Sequence, residues 1–162
     1  MNNKNKERLA EMKFKEWLDC NNIPYWYIQQ NIETFSIALK KYMSKRPDFF
    51  ILVPNIGFIL TDVEYKQPLE KYEKFAIDLE ESKKYSNLQK YFNLQVWYVF
   101  SSEKYHFTTW FWIPVSRVLE IGVIFKSKDK RENYVTIPLK EFIQLSKNDN
   151  LGRLFSEIPK ML

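Results

Sequence analysis

Residues 45–66, KRPDFFILVPNIGFILTDVEYK, contain two β-rich runs separated by a turn. Asp48 to Val53 is bulky and apolar, Pro54-Asn55 stops it, and Gly57 to Lys66 resumes the same character. A connection this short predicts an antiparallel hairpin. Side chains alternate between the faces of a strand, so Asp62, Glu64 and Lys66 project to one side of the second run. Charges are costly within a sheet unless that face opens to solvent, pairs its ions or binds a metal. Asp48 begins the neighbouring strand, where the hairpin can bring its carboxylate beside that of Glu64. Two hard oxygen donors with Lys66 alongside suit Mg²⁺.

Outward from the hairpin, Ala10, Phe14, Trp17 and Leu18 recur at helical spacing and predict a helix from about Lys4 to Cys20, ended by Asn21-Asn22. Pro24 to Ile28 reads as a strand, whereas residues 33–44 give no clear pattern. After Pro68 a polar stretch leads into a predicted helix through Ile77, Glu81, Tyr85, Leu88 and Phe92. Leu94 to Ser101 and Thr108 to Ile113 read as strands, Pro114 opens a short helix through Val118, and Tyr134 to Ile137 is a last strand before a helix around Leu139 to Leu145. The order predicts an α/β fold, a mixed central β-sheet flanked by helices. It is read as a single domain over 1–162, with a core of about 1–113 and a strand/helix extension over 114–162.

The chain has 162 residues, 45% hydrophobic and 17% aromatic, enough to bury a core. Cys20 and His106 are the sole residues of their kinds, which excludes an intrachain disulfide, a cysteine zinc cluster and a histidine-rich metal site. Any metal must therefore be held by carboxylates. The polar start MNNKNKERLAEMKFKEW and the lack of a span-length apolar stretch predict a cytoplasmic protein away from membranes. A formal charge of +5 favours an anionic partner, although lysines that merely keep a protein dissolved give the same balance.

Pro47-Asp48 on one strand and Glu64-Tyr65-Lys66 on the next, with fifteen residues between the two acids, resemble the signature of the PD-(D/E)xK, restriction-endonuclease-like nucleases. Glu-x-Lys alone says little, since Glu11-Met12-Lys13 and Glu81-Ser82-Lys83 also fit it. The arrangement carries the resemblance: a lone Pro-Asp opening a strand, a hairpin, then a strand-borne Glu-x-Lys, a helix and an apolar strand. The nearest pattern is the Holliday-junction-resolvase-like branch, whose first-helix glutamate is matched by Glu11, with Glu7 in reserve. The resemblance implies a metal-dependent endonuclease hydrolysing nucleic-acid phosphodiesters, chiefly DNA. Asp48, Glu64 and Glu11 would hold Mg²⁺ or Mn²⁺, and Lys66 would position the attacking water. It also implies a polar contact to phosphate from Gln89, and cutting both strands of a duplex would call for a homodimer. Lys45, Arg46, Lys83 and Lys84 are candidates for backbone phosphates.

Blander readings stand beside these. Asp48 could be a turn carboxylate, Glu64 and Lys66 an ion pair on a wet sheet face, and Glu11 a surface charge. Asp62 could extend the acidic cluster or pair with a lysine. Trp110-Phe111-Trp112 and Tyr25-Trp26-Tyr27 read as core or self-association surface before base stacking, and Cys20 as a packed small hydrophobe. An idle site would leave a nucleic-acid-binding or assembly module, and an RNA-directed nuclease would share the same residues.

Overall fold

The computed structural model describes residues 2–31, 33, 35–126 and 133–156. The hairpin forms as its sequence predicts: β2 (Phe49–Val53) and β3 (Gly57–Tyr65) pair antiparallel, with Phe49 opposite Thr61 and Val53 opposite Gly57. Asn55 and Gly57 take positive φ in the turn, and at φ +117° Gly57 occupies a conformation that side chains resist.

Around the hairpin a six-stranded sheet assembles in the order β1-β2-β3-β5-β6-β9. Its strands are β1 (Tyr25–Tyr27), β2, β3, β5 (Val96–Ser101), β6 (Thr109–Pro114) and β9 (Ile143–Ser146). Only β3 and β5 run parallel, so the sheet is mixed. The β3–β5 crossover carries β4 (Lys74–Asp78) and helix α3 (Leu79–Phe92). Strand β4 belongs to a second sheet of order β4-β8-β7, with β7 (Val123–Lys126) and β8 (Asn133–Pro138).

Each face of the large sheet has its own core. Helix α1 (Asn3–Cys20) lays Ala10, Phe14, Trp17 and Leu18 against Phe49, Ile59, Val63, Trp97, Val99, Trp110 and Trp112. A left-handed Asn22 ends this helix, letting the Ile23 N–H return to the Leu18 carbonyl. On the opposite face α3, α4 (Val115–Ile121) and the small sheet cover Leu60, Tyr98, Phe100, Phe111 and Ile113. The expected fold class, a mixed central sheet flanked by helices, is the one observed. Two short helices, α2 (Ile37–Lys40) and α5 (Arg153–Ser156), and 3-10 turns at Glu103–Tyr105 and Leu139–Glu141 accompany these elements. No helix among the described residues is long and apolar enough to cross a membrane.

Three sequence expectations need correction. Ile77 lies in β4, opposite Val135, because the Asp78 carboxylate caps α3 by accepting the Glu81 N–H, so the helix starts after it. The helix expected around Leu139–Leu145 is a short 3-10 turn followed by β9, whose residues Ile143 to Ser146 pair with the edge of β6. Cys20 is exposed rather than packed. Trp110-Phe111-Trp112, by contrast, is core throughout.

Candidate metal centre

Alternation along β3 turns Asp62, Glu64 and Lys66 toward α3, away from α1. The first turn of α3 faces them, because the Asp78 cap fixes where that helix begins and so presents Glu81 to the sheet. Asp62, Glu64 and Glu81 each offer a carboxylate oxygen within 4.8 Å of the others. Two lysines reach into this group. Lys66 Nζ lies 2.8 Å from Glu64, and Lys45 Nζ lies 2.7 Å from Glu81 and 3.3 Å from Asp62. The Tyr85 hydroxyl, one turn beyond Glu81, donates to Asp62 Oδ1.

Asp48 stands beside this group, on the strand end next to Asp62. Its Oδ2 accepts the Val63 N–H at 2.8 Å and its Oδ1 accepts from the Gln30 side chain at 3.2 Å. Burial, then the Asp62 charge, holds its pKa well above the usual carboxylate range. Burial likewise raises Glu64, to about 8, against the opposing pull of Lys66. Glu81 is raised by burial and by Asp62. For the two lysines burial opposes the charge, but it is outweighed by Asp62 and Glu81 at Lys45 and by Glu64 at Lys66, so both pKa values rise. Counting Asp48, four carboxylates thus meet two ammonium groups; burial and mutual repulsion hold Asp48, Glu64 and Glu81 toward their protonated forms, and a divalent cation would favour their charged ones.

Asp62 is 3% exposed, and its Oδ2 is buried with no hydrogen-bond partner. A buried carboxylate oxygen without a partner is costly unless a cation meets it. All the donors here are hard oxygens, a set that fits Mg²⁺, Mn²⁺ or Ca²⁺ rather than a soft metal.

The remaining predicted residues fall in several places. Glu11 accepts a hydrogen bond from the Tyr27 hydroxyl, and its charge acts on Asp48. Glu7, one turn earlier, lines a cleft of about 400 Å³ together with Glu64, Lys66 and Gln67. Arg46 bonds Gln30 and the Asn31 carbonyl and lies over the Phe35 ring. Lys83 pairs with Glu80 on the exposed side of α3, while Lys84 lines a hollow shared with Lys45 and Arg46. Gln89 spends its side-chain oxygen on the Val96 N–H at the start of β5, away from the acids. Sequence reading did not assign Glu81 to the site. Its one available signal was the Asp-x-x-Glu spacing from Asp78 to Glu81, which marks a helix start.

No protein-family model matches the chain, and no curated protein sequence matches it. Among solved structures it is similar to the Holliday junction resolvase Hjc of the archaeal hyperthermophile Archaeoglobus fulgidus. That likeness has a TM-score of 0.53 and 11% sequence identity, and covers 86% of this chain and 94% of the resolvase. At this identity the two share a fold, and the site must argue for itself.

Proposed function

We propose that the protein is a metal-dependent nuclease that hydrolyses nucleic-acid phosphodiesters, with DNA as its chief substrate. The observation that carries this reading is the Asp62–Glu64–Glu81 cluster, with its unpartnered Asp62 oxygen and adjacent Lys66, on a fold shared with a Holliday junction resolvase. Asp62, Glu64 and Glu81 would hold Mg²⁺ or Mn²⁺, with Asp48 at the edge of the group and Glu11 or Glu7 approaching from the first helix. Bound there, the ion supplies charge neutralisation and a more acidic water.

The chain's own groups do the rest. Lys66 orients the attacking water and offsets the charge that gathers on the phosphoryl oxygens. Tyr85 and Lys45 fix the Asp62 and Glu81 carboxylates so that the site needs little rearrangement. The water oxygen bonds to phosphorus as its proton leaves to solvent, the bond to the leaving sugar oxygen breaks, and that oxygen takes a proton back from water. The excess of positive charge over the chain favours approach of a polyanion.

The test is cleavage of supercoiled, branched and single-stranded DNA, and of RNA, in Mg²⁺, Mn²⁺ or EDTA. Wild type is compared with Asp48→Ala, Asp62→Asn and Lys66→Ala. Metal-dependent cutting lost in the variants supports the reading, and the substrates cut assign DNA or RNA. No cutting by wild type would leave an ion network already neutralised by Lys45 and Lys66, and a binding module in place of an enzyme.

Cation linkage gives a second expectation. Glu64 is held near 8 in the folded chain and titrates near 4.5 when free of its surroundings, so between these values the folded state keeps a proton that the unfolded state releases. Without a cation its contribution therefore erodes stability as pH rises from about 4.5 to about 8. Divalent ions need the carboxylate, so the rise in Tm between EDTA and millimolar Mg²⁺ should be small at about pH 5.5 and larger by several degrees at about pH 8.5. A Mg²⁺ shift of equal size at both pH values would contradict it.

A further inference from the structure

Lys84, Asn87 and Tyr91 follow one another along α3 as a stripe about 10 Å long, beginning one turn beyond Glu81. Helix α2 and the segment after it lie alongside. The Asn87 amide donates to the Met43 carbonyl at 3.2 Å, and the Tyr42 ring lies 5.2 Å from that of Tyr91 and 5.0 Å from that of Phe92. Lysines attend these rings: Lys41 Nζ is 4.9 Å from the Tyr42 centroid and Lys90 Nζ is 6.0 Å from that of Tyr91. Tyr91 is 55% exposed and Met43 70% exposed.

Toward the acids the strip runs into an open hollow of about 470 Å³ lined by Gln30, Phe35, Lys40, Lys45, Arg46 and Lys84. No carboxylate lines it. Lys45 joins the hollow to the metal centre, since the same ammonium touches Asp62 and Glu81. Lys40 and Lys84 reach it from separate helices, are exposed, and form no salt bridge among the described residues. Like charges gathered on one hollow repel unless an anion lies between them. Cations interleaved with exposed ring faces are what an unpaired strand needs, phosphates to the former and bases to the latter. A duplex keeps its base faces stacked inward and offers such rings nothing.

We propose that this strip is a binding track for single-stranded nucleic acid, leading an unpaired strand to the Asp62–Glu64–Glu81 cluster. Lys40 and Lys84 take backbone phosphates, and Tyr42, Tyr91 and Phe92 form the stacking platform. The destination of the strand rests on the nuclease reading; its binding does not.

The experiment is fluorescence anisotropy of a labelled oligothymidine, and of a duplex of equal length, in EDTA across a salt series. Wild type should bind the single strand more tightly. The double variant Lys40→Ala/Lys84→Ala should flatten the slope of log affinity against log salt by about 1.4, two phosphate contacts at about 0.7 each. Tyr91→Ala should weaken single-strand binding by about 5- to 100-fold and leave duplex binding nearly unchanged. Lys147→Ala, in the pocket with Trp17 and His106 on the far side of the sheet, should change neither. An unchanged slope in the double variant overturns the track, as does a Tyr91→Ala effect equal on both ligands, or failure of wild type to bind oligothymidine. Because EDTA removes any need for cleavage, wild type that shows these shifts but never cuts keeps the track and loses the nuclease reading. Cutting without the shifts does the reverse.

Discussion

On the proposed nuclease reading, Glu64→Gln should lower metal-stimulated cleavage by at least about 10³-fold while the protein stays folded. The substitution keeps the size of the side chain and removes its charge. Glu64 sits between Lys66, at 2.8 Å, and the oxygens of Asp62 and Glu81. A neutral amide there would leave two carboxylates for the proposed ion and could not become the charged partner of Lys66 that a bound cation would favour. Lys66→Ala should cost about 10²- to 10⁴-fold by removing the group proposed to orient the water. The measurement is initial nicking rate at saturating Mg²⁺, with circular dichroism and Tm taken on the same samples. Cleavage that survives both substitutions at the wild-type rate would place the chemistry elsewhere, or in a contaminant.

Phe14→Ala should cost about 3–5 kcal/mol. Phe14 is fully buried where α1 meets the sheet, with ring centroids 4.9 Å from Trp110, 5.3 Å from Phe49, 5.5 Å from Trp112 and 5.8 Å from Trp17. Deleting it opens a cavity among four rings that cannot close without moving a helix against two strands. At about 2–4 °C per kcal/mol the midpoint should fall by roughly 6–20 °C, with Phe14→Leu losing far less. A fall under about 3 °C would mean that α1 does not dock as described. The variant also bears on the site, since α1 carries Glu7 and Glu11.

The hairpin and the first helix were legible because their signals are local. The turn at Pro54-Asn55, the alternation from Asp62 to Lys66 and the stripe from Ala10 to Leu18 each lie within a few residues. What could not be read was set by partners far along the chain. Strand β4 exists because β8 pairs with it, and β9 because Trp110 and Trp112 present an open edge that Leu145 and Ile143 satisfy. Neither partner is visible in a window around 74–78 or 143–146.

The acidic centre shows the same limit. Asp62, Glu64 and Lys66 share a face by strand geometry alone. Glu81 joins them only because the β3–β5 crossover returns a capped helix over that face, and Lys45 because the chain before β2 meets that helix, where the Tyr85 hydroxyl donates to the Arg46 carbonyl. Gln89, at a helix position that invited a substrate contact, is held by the Val96 N–H.

The pairing of β9 with β6 and of β8 with β4 also governs how the chain can be made. During vectorial synthesis every strand from β1 to β6 leaves the ribosome before the segment that seals the sheet. Until residue 146 has emerged, β6 is a raw edge and Trp110 and Trp112 lack their cross-strand partners Leu145 and Ile143, an invitation to pair with another nascent chain. Residues 1–113 expressed alone should therefore accumulate as aggregates, and the late C-terminal strand serves in effect as the molecule's folding latch.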